Sequence, residues 1–230
     1  MPDFCATEPR VTPIGAMAFD QTAFPNNIKL ILLKVEWNRM RPGIAILALW
    51  IGWAVSWAVA APWSNRTEKR PGIVTEIRYR LPMLIGALLL FVPAHRYEGP
   101  LRWWHVGRMG AWLCVALVAA GIAFAWWARL HLGRLWSGRV TRKADHRVVD
   151  SGPYAVVRHP IYSGLLLSML ATAVAKGTLL GAGGFVFLLL GIWMKARLEE
   201  HWLTQELGEG VYCGYRRRVP MLMPFGPKGK

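Results

Sequence analysis

Between His146 and Gly164 the chain reads HRVVDSGPYAVVRHPIYSG, which gathers imidazole, guanidinium, phenol and turn-forming residues into one short polar stretch. Gly152-Pro153 and Pro160 do not suit a helix interior, because proline lacks an amide donor and its ring clashes with the preceding turn. The segment therefore reads as turns and short extended pieces whose backbone amides and carbonyls stay open to a ligand. Arg158-His159-Pro160-Ile161-Tyr162 reads as the start of a helix, with Pro160 in its first turn. Free amides at that start, beside Arg158 and His159, would attract a carboxylate or phosphate. The plainer alternative is that Arg158 and His159 only anchor a helix at lipid headgroups.

A second polar group lies in the tail KARLEEHWLTQELGEGVYCGYRRRVPMLMPF, where Lys195, Arg197, Glu199 and Glu200 occupy the end of a helix leaving an apolar run. Carboxylates close to a bilayer need partners. Helical spacing allows Lys195 to pair with Glu199, or Arg197 with Glu200. A carboxylate there could instead accept the two hydroxyls of a ribose or face a sulfonium cation. A cation at the same helix end can orient an anionic acceptor; the planar fork of Arg197 favours it for that part, with Lys195 competing.

These groups are carried by a greasy, basic chain. Of 230 residues 54% are hydrophobic and 13 are Trp, yet Lys and Arg number 28 against 13 Asp and Glu, at a mean hydropathy of +0.27. A nucleic-acid binder would carry such charge on polar segments with few long apolar runs, so that class is excluded as a partner. Apolar runs at Ile44–Trp63, Leu81–Ala94, Met109–Ala128 and Ile161–Met194 read as membrane spans, the last as a tight hairpin of two short helices broken at Lys176-Gly177. At about 1.5 Å per residue a run such as the first matches a hydrocarbon core of about 30 Å. The expected fold is all-α and integral to the membrane, with five spans, a C-terminal helical hairpin and a cytoplasmic cofactor pocket.

Counted at the ends of these spans, nineteen Lys and Arg fall on the side of the 129–160 loop and the tail, against nine on the other. The imbalance places loop and tail in the cytoplasm, as in a bacterial inner membrane or its equivalent. Residues 1–27 lack a cationic start followed by an apolar core, so no cleavable signal is expected. Ile28 to Met40 alternates apolar and basic residues as an interfacial helix or a linker would. The expected organisation is an N-terminal segment over 1–43, three spans over 44–128 and a catalytic region over 129–230. Cys5, Cys114 and Cys213 lack metal-ligand or disulfide spacing, and no metal is expected. Trp50, Trp53 and Trp57 share a helical face that suits packing or anchoring better than a ligand groove. Gly181-Ala182-Gly183-Gly184 suits close helix packing.

In order and spacing, HRVVDSGPYAVVRHPIYSG, RLEEHWL and YCGYRRRVPMLMPF resemble the C-terminal half of isoprenylcysteine carboxyl methyltransferases and related membrane phospholipid methyltransferases, over roughly residues 130 to 225. The resemblance implies S-adenosylmethionine held between loop, hairpin and tail, without the glycine-rich strand-to-helix turn of a dinucleotide fold. It implies cofactor contacts at Arg139, His146, Arg147, Val148, Val149, Tyr154, His159, Pro160, Ile161, Tyr162 and Glu199, with Arg158 beside them. Lys195 or Arg197 would place the acceptor, with Arg197 and Glu200 the expected catalytic residues. Leu207-Gly208 precedes Tyr212 at a spacing apparently one residue longer than the family's, which leaves the parts of Tyr212 and Tyr215 open.

Methyl transfer from a sulfonium is an in-line displacement that needs alignment and a dry pocket more than acid or base assistance. A carboxylate or thiolate acceptor needs no base; an amine must arrive deprotonated, where Glu200 or His201 would help if within reach. The acceptor expected is amphiphilic or small and hydrophobic, entering from the lipid. An NADPH-dependent membrane reductase of lipids or sterols, and a non-catalytic membrane binding protein, are the alternatives.

Overall fold

The computed structural model describes residues 41–62, 72–91, 102–133, 149–207 and 209–229. The Ile28–Met40 segment and the site residues Arg139, His146, Arg147 and Val148 lie outside that set. The described residues fold into helices with two isolated β-bridges: α1 (Pro42–Val59), α2 (Ile73–Phe91), α3 (Arg108–Leu132), α4 (Pro153–Val156), α5 (Pro160–Lys176), α6 (Leu179–Leu207) and α7 (Glu209–Arg218).

Three helices are long and apolar enough to cross a membrane: Pro42–Val59, Arg108–Leu132 and Leu179–Gln205. Their outward faces are apolar; on α1 Ile44, Leu47, Ile51, Val55 and Val59 recur at helical spacing and all are exposed, as a lipid-facing stripe must be. The remaining two expected spans differ from the sequence reading. The one placed over Leu81–Ala94 begins at Ile73, with Pro82 inside it and Glu76 paired to Arg80 at 2.7 Å. The hairpin is unequal rather than two short helices, because α5 has 17 residues while α6 runs 29 without a break. Continuity of α6 carries the Lys195–Glu200 group on the same rod as the membrane-length apolar run.

Small residues set the packing. α2 lies along α6, and α3 along α5. A Cβ at Gly121 would come 2.3 Å from Ser168 Oγ and one at Gly164 would come 2.4 Å from the Gly121 carbonyl, so these backbones approach as only glycine permits. Ser168 Oγ uses the closeness to donate to the Val118 carbonyl at 3.0 Å. Gly184 meets Gly86 and Leu90 in the same way, as expected of the glycine-rich stretch. The hairpin turns at Gly177 with φ of 65°, and Lys176 Nζ donates to the Leu89 and Leu90 carbonyls at 2.9 Å each, closing the end of α2. Trp50 Nε1 donates to Thr172 Oγ1 at 3.0 Å and Trp50 packs in the core, which makes this stripe packing.

Candidate active site

Two residues before Pro160 the chain is held extended by the tail. The amides of Arg158 and His159 donate to the carbonyls of Pro220 and Met221 at 2.9 and 3.1 Å, and Ser163 Oγ donates to the Leu222 carbonyl at 2.5 Å. The residues Val219–Leu222 thus form a strap along the start of α5. This corrects the expectation of free amides at Arg158 and His159: the tail already occupies them. Pro160 does open the helix, buried at its first turn, and Pro153 opens the single turn of α4, which the sequence reading left among irregular pieces.

Arg158 is 6% exposed and fully engaged. Its Nε donates to Glu200 Oε1 at 2.6 Å, and one terminal nitrogen donates to the carbonyls of Arg216 and Val219 at 3.0 and 2.5 Å. Arg216 Nε lies 3.7 Å from Glu200 Oε2, and His159 Nε2 lies 3.4 Å from Glu200 Oε1. One carboxylate on α6 therefore joins the start of α5 to the end of α7. Glu200 is 3% exposed, with Oε1 hydrogen-bonded to Arg158 and Oε2 facing Arg216, and this burial among cations disfavours it as a base for an amine acceptor. His201, the other base considered, is exposed on α6 with its Nε2 3.1 Å from Gln205 Nε2.

Glu199 is placed differently. Tyr162 donates to its Oε1 at 2.7 Å, His159 Nδ1 stands 3.6 Å from Oε2, and Lys195 Nζ stands 3.9 Å from Oε1. The His159 and Tyr162 rings stack at 5.5 Å and 11°, and Lys195 Nζ sits 5.2 Å from the Tyr162 ring centre. His159 Nε2 is buried and, beyond its 3.4 Å approach to Glu200 Oε1, makes no hydrogen bond among the described residues. A carboxylate, an ammonium, an imidazole and a phenol thus converge on one patch where the helices α5 and α6 meet.

Arg197 lies elsewhere. It is exposed and its guanidinium lies 5.7 Å from the ring centre of Trp193, so the Arg197–Glu200 pair weighed from the sequence does not form. The reason is helical phase: residues two apart point to different faces, and the buried face took Lys195. Expectation had favoured Arg197; the geometry brings Lys195 to the site. Ile161 is buried at the start of α5, and Val149 packs against the same core.

Tyr154, Tyr212 and Tyr215 are buried beneath the patch, and Tyr215 donates to the Tyr154 carbonyl at 2.7 Å. Burial pushes all three phenols above their ordinary pKa, and for Tyr154 the neighbouring Tyr215 and Glu199 add to the effect. Neutral phenols there can pack and hydrogen-bond, as Tyr215 does to the Tyr154 carbonyl. His131 Nε2, at the end of α3, lies 2.9 Å from Ser151 Oγ, and its ring stacks on Tyr154 at 6.3 Å. Sequence reasoning missed both His131 and the strap; only the order of motifs hinted that loop and tail meet.

The profile of the isoprenylcysteine carboxyl methyltransferase (ICMT) family matches residues 113–205, a stretch that begins in α3 and ends in α6 and holds His159, Tyr162, Lys195, Glu199 and Glu200. That match takes in less than half of the chain, and the relatives at 30% identity or more are each spanned over less than two thirds of their own length. It is 28% identical over 156 residues to protein-S-isoprenylcysteine O-methyltransferase B of Arabidopsis thaliana, covering 64% of this chain and 74% of that one. Methanethiol S-methyltransferase 2 of Bradyrhizobium diazoefficiens is 32% identical over 154 residues, 62% of this chain and 58% of its own length. Methanethiol S-methyltransferase of a Pseudomonas species is 40% identical over 167 residues, 67% of this chain and 61% of its own. The family match and these relatives support a membrane methyltransferase, and the strap over Val219–Leu222 lies beyond the matched residues.

Proposed function

We propose that this protein transfers the methyl group of S-adenosylmethionine to an anionic sulfur or oxygen of an amphiphilic or small hydrophobic acceptor. The observation that carries the reading is the pairing of Glu199 with Lys195 across the His159–Tyr162 stack. The patch fits the donor chemically: His159 Nε2 is buried, with Glu200 Oε1 at 3.4 Å and no hydrogen bond among the described residues, and Glu199 offers a carboxylate to a cationic or hydroxyl-bearing ligand. Glu199, His159, Tyr162 and Tyr154 would hold the donor, with Pro160, Ile161 and Val149 as apolar walls and Arg139, His146, Arg147 and Val148 contributing from the preceding loop. S-adenosylmethionine supplies an electrophilic methyl on a sulfonium.

The chain's own residues supply placement. Lys195 carries a compact positive charge on an aliphatic stem, which suits a thiolate or carboxylate presented from the lipid side. With Glu200 buried among cations, an acceptor that arrives as an anion fits better than one needing a base. Arg158 acts as a positioning residue, fixing strap, α5 and α6 around the patch. Holding nucleophile and methyl in line in a site closed to water contributes much of the rate. The relatives named for protein-S-isoprenylcysteine and methanethiol bracket the acceptor class.

The same reading makes α2 and α5 cross the bilayer beside α6 and α3, for five spans, with the patch and tail on the cytoplasmic face, as the nineteen-to-nine charge asymmetry favours. Calorimetry on purified protein with S-adenosylmethionine, and NADPH as control, tests the donor. Binding of S-adenosylmethionine alone is expected; binding of NADPH in its place overturns the reading.

A further inference from the structure

Beyond the strap the tail makes a built turn that the methyl-transfer site does not use. Pro220 and Lys228 form an antiparallel bridge, Gly226 N donates to the Met223 carbonyl at 3.0 Å, and Gly229 N donates to the Arg216 carbonyl at 3.0 Å. At the tip stand Met223, 71% exposed, and Phe225, fully exposed. Phe225 also has φ of 61°, a left-handed conformation that costs free energy for a residue with a Cβ. A bulky apolar ring held outward in a strained backbone is unexpected if water is its surroundings. On the same tail segment, Arg217 and Arg218 at the end of α7 and Lys228 at the base of the turn are exposed, with Arg218 3.3 Å from Asp150.

The depth of the turn is fixed at its base. Leu222 accepts a hydrogen bond from Ser163, one turn into the apolar helix α5, and packs against the main core. We propose that Met223 and Phe225 insert into the interfacial layer of the bilayer that holds the bundle, with Arg217, Arg218 and Lys228 on its anionic headgroups. The inference rests on the reading that α5 starts at the membrane face. An exposed apolar tip on a segment with exposed cations to either side in sequence has the composition of an interfacial anchor. A second copy of the chain is a poorer occupant, because two such basic segments would bring like charges together. Since the strap holds Arg158, His159 and Ser163, the anchor ties the floor of the active site to the lipid surface.

The test uses the full chain in nanodiscs, with nitroxide labels on Phe225→Cys, Met223→Cys and, as a reference, Lys228→Cys. Cys5 and Cys213 are replaced by Ser, and buried Cys114 is left in place. Collision with oxygen is compared with collision with a water-soluble nickel chelate. In discs containing phosphatidylglycerol, labels at 223 and 225 are expected to meet oxygen severalfold more often than nickel, with the ratio reversed at 228. Arg217→Gln with Arg218→Gln should lower the ratio at 225 in these discs and leave it unchanged in phosphatidylcholine. Equal nickel access at all three positions overturns the proposal. So does protection that appears only when discs hold two copies. Donor binding measured on the same samples reports separately on the methyltransferase reading.

Discussion

Two buried arginines stand at the same end of the bundle and are satisfied in opposite ways. Arg129, at the last turn of α3, is 2% exposed; its guanidinium lies 4.6 Å from the Trp57 ring centre and 5.8 Å from that of Trp126, and it donates to the Ala60 carbonyl. Arg158, before α5, is equally removed from water but binds a carboxylate and two carbonyls from other elements. Aromatic faces and a helix-end carbonyl hold the Arg129 guanidinium against the end of α1. A carboxylate imposes direction and partners, so Arg158 fixes three segments relative to one another. The difference separates a region built for stability from one built for geometry.

The largest expected effect breaks the second arrangement. Arg158→Ala leaves Glu200 buried with the more distant His159 and Arg216 and takes a donor from the Val219 carbonyl, while Gly229 still donates to that of Arg216, a loss of about 3–5 kcal/mol. A lowered thermal midpoint together with loss of S-adenosylmethionine binding by calorimetry is expected. Arg158→Lys should recover part of the stability, because it restores the charge without the fork. An Arg158→Ala protein that melts and binds as the parent does would remove Arg158 from its positioning part.

Much of this contrast was legible beforehand, and the remainder was not for definite reasons. Apolar runs and prolines mark the helices because a bilayer and a missing amide act locally. His159, Tyr162 and Glu199 stood out by residue type and order. The strap did not, since its backbone bonds from Arg158 and His159 to Pro220 and Met221 carry no side-chain signature, and a lone serine such as Ser163 does not name its partner. Helix ends also slipped: α2 starts at Ile73 rather than Leu81 because Glu76 and Arg80 satisfy each other within one turn. The preference for Arg197 came from guanidinium chemistry, and helical phase decided otherwise.

Glu199→Gln sharpens the comparison inside the site. Glu199 is less enclosed than Glu200, so its charge is available to a ligand; removing it should weaken S-adenosylmethionine binding by about 1.5–3 kcal/mol while Tyr162 still finds an acceptor. Calorimetry measures the affinity, and a thermal midpoint within about 2 °C of the parent separates binding from folding. Unchanged affinity places the donor elsewhere. Next in size is Arg129→Lys, which keeps the charge but loses the planar stack on Trp57 and Trp126. A stability loss of about 1–2 kcal/mol with donor affinity intact is expected; a fall in affinity at parental stability would erase the distinction between the two regions.

The smallest effect is the most discriminating, because it concerns two cations within one turn of one helix that point to different faces. Lys195 is buried against Tyr162 and Glu199, whereas Arg197 is exposed over Trp193. If the site reads charge on the inner face of α6, Arg197→Ala should change acceptor KM, turnover and donor affinity by less than about twofold, under roughly 0.5 kcal/mol. Lys195→Ala should raise acceptor KM or lower turnover well beyond that, with donor affinity moving less than the acceptor parameters. Lys195→Arg is the control, since it restores charge at the same position with a bulkier, forked head. Partial recovery there would assign the effect to charge rather than to a lost aliphatic stem. Should Arg197→Ala impair the acceptor while Lys195→Ala stays silent, the outward face of α6 at Trp193 becomes the acceptor side, and the Glu199–Lys195 patch is left with the donor alone.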